Sequence, residues 1–138
     1  RRMKITLDPG AYVPVRAHAT DAGLDLKSPK LVYIPPYSSV VIDTGVHVEI
    51  PEGYAGMLKS KSGLNIKHDI TSDGVVDCGF TGSIQVKLYN HGSHGYEVKN
   101  GDKITQLVLT PIINPVIELV DELESTERGS KGFGSSGR

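Results

Sequence analysis

The 138-residue chain has a single cysteine, Cys78. That excludes an intramolecular disulfide framework and suits a reducing compartment. Neither sign of charge is in excess: the formal net charge is −1 and the pI near 6.6. Without a polybasic footprint, nucleic acid is not expected as a main partner. Long hydrophobic runs are missing too. The longest uncharged apolar stretch, "LVYIPPYSSVVI", is too short to span a bilayer and is broken by Pro35 and Pro36. The start, "RRMKITLDPG", has no apolar segment of the kind a signal peptide carries. The expectation is a soluble cytoplasmic protein with no membrane partner. No internal repeat or interdomain linker interrupts what is a single domain's length.

What is present is short apolar segments separated by Gly, Pro, Asn and Asp. "VHVEI" places Val46, Val48 and Ile50 on one face, with His47 and Glu49 on the other. "SIQVKLY" does the same with Ile84, Val86 and Leu88. "MKITL", "YAGMLKS", "KITQLVLTP" and "NPVIELV" also read as strands, and only residues 62–67 have room for a helical turn or two. This spacing predicts an all-β barrel or sandwich. Periodicity stops after Leu123.

Three stretches carry functional groups that a β core does not need. In "GMLKSKSGLN" a cation, Lys61, precedes Ser62 and Gly63 at a strand end before a helix start. That places a hydroxyl, a charge and free backbone N–H groups together, a combination suited to phosphate. An N-cap serine among solvated lysines fits the same residues. In "SDGVVDCGFTGSIQVKLYN", Gly74, Gly79 and Gly82 bracket Asp77 and Phe80 in a hairpin with an irregular turn. A carboxylate and a ring beside exposed backbone suit a flat polar ligand and an activated water. A plain turn aspartate with a loop aromatic is the alternative.

The third stretch is the tail, "RGSKGFGSSGR". Its glycines let backbone wrap closely around phosphates, Arg128 and Lys131 add charge, and Phe133 offers a stacking face. A solvated, disordered terminus accounts for the same composition. Two weaker stretches are "ATDAGLDL", with Asp21 and Asp25, and "GDKITQLVLTP", with a lone polar Gln106 in an apolar strand. The five histidines have no ligand spacing and read as surface or loop residues. Cys78 has no paired base and reads as incidental.

Together and in order, "ATDAGLDL", "GMLKSKSGL", "GVVDCGFTG", "GDKITQLV" and "RGSKGFGSSG" resemble the five motifs of the trimeric dUTPase family. The resemblance implies a β jelly-roll homotrimer that hydrolyses dUTP to dUMP and pyrophosphate with Mg²⁺. Such an activity limits uracil incorporation into DNA and supplies dUMP for dTMP synthesis. It further implies active sites at subunit interfaces, each assembled from all three chains. Residues 1–124 would form the barrel domain, and residues 125–138 a flexible arm that closes over the site.

Residue by residue, the resemblance makes Asp77 the carboxylate that deprotonates the water attacking the α-phosphorus. The hairpin, through Gly74, Val75, Val76 and Gly82, would read uracil with its backbone, and Phe80 would lie on the deoxyribose. Lys61, Ser62 and Gly63 would hold the α- and β-phosphates, helped by Gln106. Asp25 would face the metal–phosphate cluster through water. Arg128 would reach the γ-phosphate and Phe133 would stack on uracil, with Gly134, Ser135 and Ser136 donating to phosphate oxygens. Four positions depart from the family's usual residues. Lys61 replaces arginine, so a bidentate phosphate contact becomes a point charge. Phe80 replaces tyrosine, Lys131 replaces glycine and Ser136 replaces threonine.

Two other readings share the pattern. A dCTP deaminase of the same fold needs a glutamate on the strand after the hairpin, where this chain has Lys87. A non-catalytic regulatory jelly-roll protein would use the arm to bind a partner.

Overall fold

The structure is a computed structural model, and it describes residues 2–134. In chain order the elements are β1 (Ile5–Leu7), β2 (Gly23–Lys27), β3 (Val32–Ile34), β4 (Ser39–Asp43), β5 (Val46–Val48), β6 (Tyr54–Lys59), α1 (Ser62–His68), β7 (Ile70–Val76), β8 (Gln85–Asn90), β9 (Tyr96–Val98) and β10 (Lys103–Pro111). Alternation decides which way the strands face. Val46, Val48 and Ile50 are buried around β5, as are Ile84, Val86 and Leu88 around β8. With Leu26, Ile34, Ile42, Leu58, Ile70, Ile104 and Leu107 they form one apolar core. Burying such side chains stabilises the fold by roughly 1.5–3 kcal/mol each before the entropy cost of ordering them.

A six-stranded sheet runs in the order β2-β10-β6-β7-β8-β4, and two-stranded ribbons β1-β5 and β3-β9 complete a curled, jelly-roll-like body. Pairing throughout is antiparallel. No helix among the described residues is long and apolar enough to cross a membrane.

The sheet opens at one place. The β7–β8 ladder holds only from Ile70↔Asn90 to Ser72↔Leu88. From Asp73 to Val76, β7 pairs with β6 alone. β8 meanwhile keeps its other edge on β4 through Gln85–Tyr89 partners. The two strands therefore part around the segment that carries Asp77 and Phe80.

The expected helix at 62–67 is α1, and it ends where Asp69 adopts a left-handed conformation (φ 56°) and its N–H reaches the Asn65 and Leu64 carbonyls. One expectation fails. Residues 114–120, "NPVIELV", form no strand. Val116, Ile117 and Leu119 are almost fully exposed. A strand needs a ladder partner, and beyond Pro111 this segment meets none within the described chain.

Candidate active site

The opening between β7 and β8 is a slot of about 380 Å³, lined among others by Asp73, Gly74, Val75, Asp77, Phe80 and Ile84. Val76 turns its side chain into the core and offers only backbone. With no β8 partner beside residues 73–76, this edge of β7 presents main-chain donors and acceptors to the slot. The turn that follows depends on two glycines. Gly79 sits at φ +89°, where a side chain is strained. Gly82 lies under the Phe80 ring: a Cβ there would fall 2.6 Å from Phe80 Cζ. The distal edge of the ring thus rests over bare backbone. Asp77 is exposed at the slot's rim, and its carbonyl accepts the Phe80 N–H at 3.2 Å.

A second cluster forms where β2, β10 and β6 meet. Gln106 pairs with Asp25 on one side and Lys59 on the other. Its amide donates to the Ser60 carbonyl at 3.1 Å. Asp25 is buried, and Lys61 donates to one of its oxygens while Lys103 Nζ lies 3.4 Å from the other. Lys61, in extended conformation, is the N-cap of α1, which corrects the reading of Ser62 as cap. Since Lys61 supplies no side-chain cap, the N–H groups of Ser62, Gly63 and Leu64 open the helix without one. Ser60 ties this corner to β7: its hydroxyl donates to the Ser72 carbonyl and accepts the Ser72 N–H, at 3.1 and 3.0 Å. Thr105 in turn bonds the Ser72 hydroxyl (2.8 Å) and the Lys59 carbonyl (3.0 Å).

Asp77 and Lys61 stand at opposite ends of the β6–β7 pairing. Val76 is opposite Gly56, whereas Lys61 lies five positions further along β6 and its exit. At about 3.3 Å per residue that is roughly 16 Å. Lys61 also reaches across β10 toward β2, away from β7.

The dUTPase family model matches residues 10–137. The chain belongs to the dUTPase family. It is 41% identical to the deoxyuridine 5'-triphosphate nucleotidohydrolase of Gloeothece citriformis, over 99% of this chain and 97% of that one. The corresponding enzyme of Clostridium kluyveri is 43% identical, over 92% and 91%. Among solved structures, the dUTPase of Staphylococcus bacteriophage 80alpha, determined with dUpNHpp, superposes with a TM-score of 0.92 at 34% identity, covering 99% of both chains. A mutant dUTPase from phage phi11 of S. aureus, in which a structural Mg(II) ion is coordinated, gives a TM-score of 0.84 at 31% identity, over 91% of this chain and 100% of that one.

The arm of this dUTPase-family chain makes a small local turn. Arg128 donates to the Lys131 carbonyl at 2.9 Å and to that of Gly132 at 3.3 Å, and Thr126 Oγ1 accepts the Gly129 N–H. Phe133 is fully exposed and stands clear of the barrel. Gly134 is also exposed, while Ser135 and Ser136 lie outside the described residues. Among those described, no group of three His, Cys, Asp or Glu could hold a metal.

Several residues around these groups are not singled out in the sequence: Lys103, the second cation on Asp25, and Ser60, Ser72 and Thr105. His47 reads as a surface histidine, yet it sits in β5 and touches the turn of the slot. Its Nδ1 is 2.6 Å from the Thr81 carbonyl and its Nε2 2.9 Å from Asp8 Oδ1. These two hydrogen bonds raise its pKa above 6.5. Asp43 accepts the Ser83 hydroxyl and the Gly45 N–H, which lower its pKa below 3.8.

Proposed function

We propose that this chain hydrolyses dUTP to dUMP and pyrophosphate, in active sites that copies of a homotrimer build together. The observation that carries the reading is the opened β7–β8 ladder. Its backbone edge offers N–H and C=O groups to the donor and acceptors on the edge of a uracil ring. Phe80 supplies a face for the deoxyribose. Asp77, at the rim, takes a proton from a water molecule. The resulting hydroxide bonds to the α-phosphorus as its bond to the bridging oxygen breaks, and pyrophosphate leaves.

Lys61, the Ser62 hydroxyl, the uncapped N–H groups of Ser62 and Gly63, and Gln106 hold the phosphates. Because they stand far from Asp77 of their own chain, the Asp77 they serve belongs to another copy. Among the described residues, the hydrogen bonds of Arg128 and Gly129 stay within the arm itself and Phe133 is fully exposed. Arg128 and Phe133 therefore fit a neighbour's site, where they clamp the γ-phosphate and cover uracil, with Gly134, Ser135 and Ser136 donating to phosphate oxygens. The arm closes on the full triphosphate and keeps out bulk water.

Asp25 fits Mg²⁺ only through water, since Lys61 and Lys103 already meet its two oxygens. Mg²⁺ keeps several waters and takes phosphate oxygens readily, so it fits as a cation carried on the triphosphate. When bound it offsets charge developing on the phosphates. Lys87, at the position where a deaminase would need glutamate, places its ammonium 5.2 Å from the Tyr89 ring centre. Position 87 therefore supplies no carboxylate to activate cytosine. The test is product analysis at micromolar nucleotide: pyrophosphate from dUTP supports the reading, and ammonia from dCTP, or no turnover of either, overturns it.

A further inference from the structure

The turn that carries Asp77 and Phe80 is held from outside the slot by His47. Both ring nitrogens of this histidine face acceptors: the Thr81 carbonyl at 2.6 Å and the Asp8 carboxylate at 2.9 Å. A neutral imidazole has one N–H and can satisfy only one of them; the imidazolium has two and satisfies both. We infer that His47 is a positioning residue for the 77–82 turn, an imidazolium bridging Asp8 and the Thr81 carbonyl, whose deprotonation loosens the turn and weakens the hold on substrate. The inference rests on the proposed roles of Asp77 and Phe80.

Which bond is lost on deprotonation follows from charge. The remaining proton stays on Nε2, facing the Asp8 carboxylate, because a charge-assisted bond is stronger than one to a carbonyl. Nδ1 then turns a lone pair toward the Thr81 oxygen, and the grip on the turn is what goes. The imidazole is partly exposed, at 26% for its side chain, so it exchanges protons with solvent. The charged groups around it favour the cation. Asp8 faces it from the loop after β1, and Asp43 acts on it from the end of β4. Lys4 and Glu49, of opposite sign, line the shallow groove beside it. Asp43 also fixes the far side of the turn through Ser83, and since its own pKa is lowered that tie persists until pH falls below 3.8. Across neutral pH, His47 is the variable one of the two. Its pKa is raised, so the bridge is complete below 6.5 and is lost as pH rises through the higher folded value.

The test follows the free protein and the enzyme together. Backbone amide shifts of residues 78–82 and the His47 ring are recorded by NMR from about pH 5.5 to pH 9, the range in which histidine titrates. The amides of wild type should titrate with the imidazole. That step should move to lower pH in Asp8→Asn and vanish in His47→Gln. In parallel, KM for dUTP in wild type should rise roughly two- to tenfold across the step, the range one hydrogen bond commands. Titration of dUTP itself is common to all variants, so the wild-type to His47→Gln ratio of KM isolates the effect. Turn amides indifferent to His47, or a ratio flat in pH, overturn the inference. If His47→Gln does not fold, Asp8→Asn decides. If no variant hydrolyses dUTP the proposed function falls, and the amide titration still decides whether the bridge holds the turn.

Discussion

Asp25 and Lys61 pair across two strand spacings, joining the middle of β2 to the start of α1 over β10. The carboxylate is buried, while the side chains of Lys61 and Lys103 are 27% and 44% exposed. Asp25 is therefore an anchor for the corner proposed to hold the phosphates. Removing one partner of a fully buried pair costs about 3–5 kcal/mol. Here water re-solvates the lysines, so Asp25→Ala should lower unfolding free energy by roughly 1–3 kcal/mol in urea titration. KM for dUTP should rise as well, since Lys61 loses its fixed direction. Unchanged stability and KM would show that the pair orders nothing.

Asp77 differs in kind. Its side chain is exposed, and among the described residues none is hydrogen-bonded to its carboxylate. Asp77→Asn should leave the unfolding midpoint within the ±0.5 kcal/mol typical of surface changes and lower kcat at least ~10²-fold. A variant that turned over within a few-fold of wild type would remove Asp77 from the role of base.

Much of this was legible in the residues. Strict alternation marked β5 and β8, because one buried and one wet face leave a period of two. The slot was legible as Gly74, Gly79 and Gly82 around Asp77 and Phe80, since glycines mark close approach and special backbone. The strands that alternation does not announce are those held by their neighbours. β7, "ITSDGVV", is interrupted by Ser72, Asp73 and Gly74, and it runs on as one strand because β8 pairs its first half and β6 its second. β2 carries a buried aspartate in its middle, which breaks the apolar pattern until Lys61 and Lys103 are seen to neutralise it. The converse error is 114–120: β-branched residues read as a strand, but propensity without a partner makes none. His47 was opaque for a further reason, as its two acceptors lie 39 and 34 positions away.

Gly82→Ala tests the slot's shape. The added Cβ would stand 2.6 Å from Phe80 Cζ, so the ring must swing off the turn. KM for dUTP should rise, and selectivity against UTP should fall, because the displaced ring no longer fills the space a 2′-hydroxyl would take. Wild type should also reject dTTP by more than the 1–3 kcal/mol an adaptable pocket achieves against one methyl, since a backbone edge does not shift. Equal kcat/KM for dUTP and dTTP, or an unchanged UTP ratio in Gly82→Ala, would contradict the rigid slot.

The last prediction concerns which chain supplies which part. Phe133 is fully exposed, and Lys61 lies far from Asp77 along β6. On the proposed shared site, Asp77 and the arm come from different copies. Two inactive variants test this: Asp77→Asn with its arm intact, and a truncation after Glu127 with Asp77 intact. In mixed trimers some sites receive Asp77 from a truncated chain and Arg128 and Phe133 from an Asp77→Asn chain, and those sites should hydrolyse dUTP. Were base and arm contributed by one chain, every site in every mixed trimer would lack one or the other. The measurement is dUTP hydrolysis after co-refolding, with subunit exchange shown by native mass spectrometry. Activity well above that of either variant alone supports the shared site, and no rescue despite demonstrated exchange sinks it.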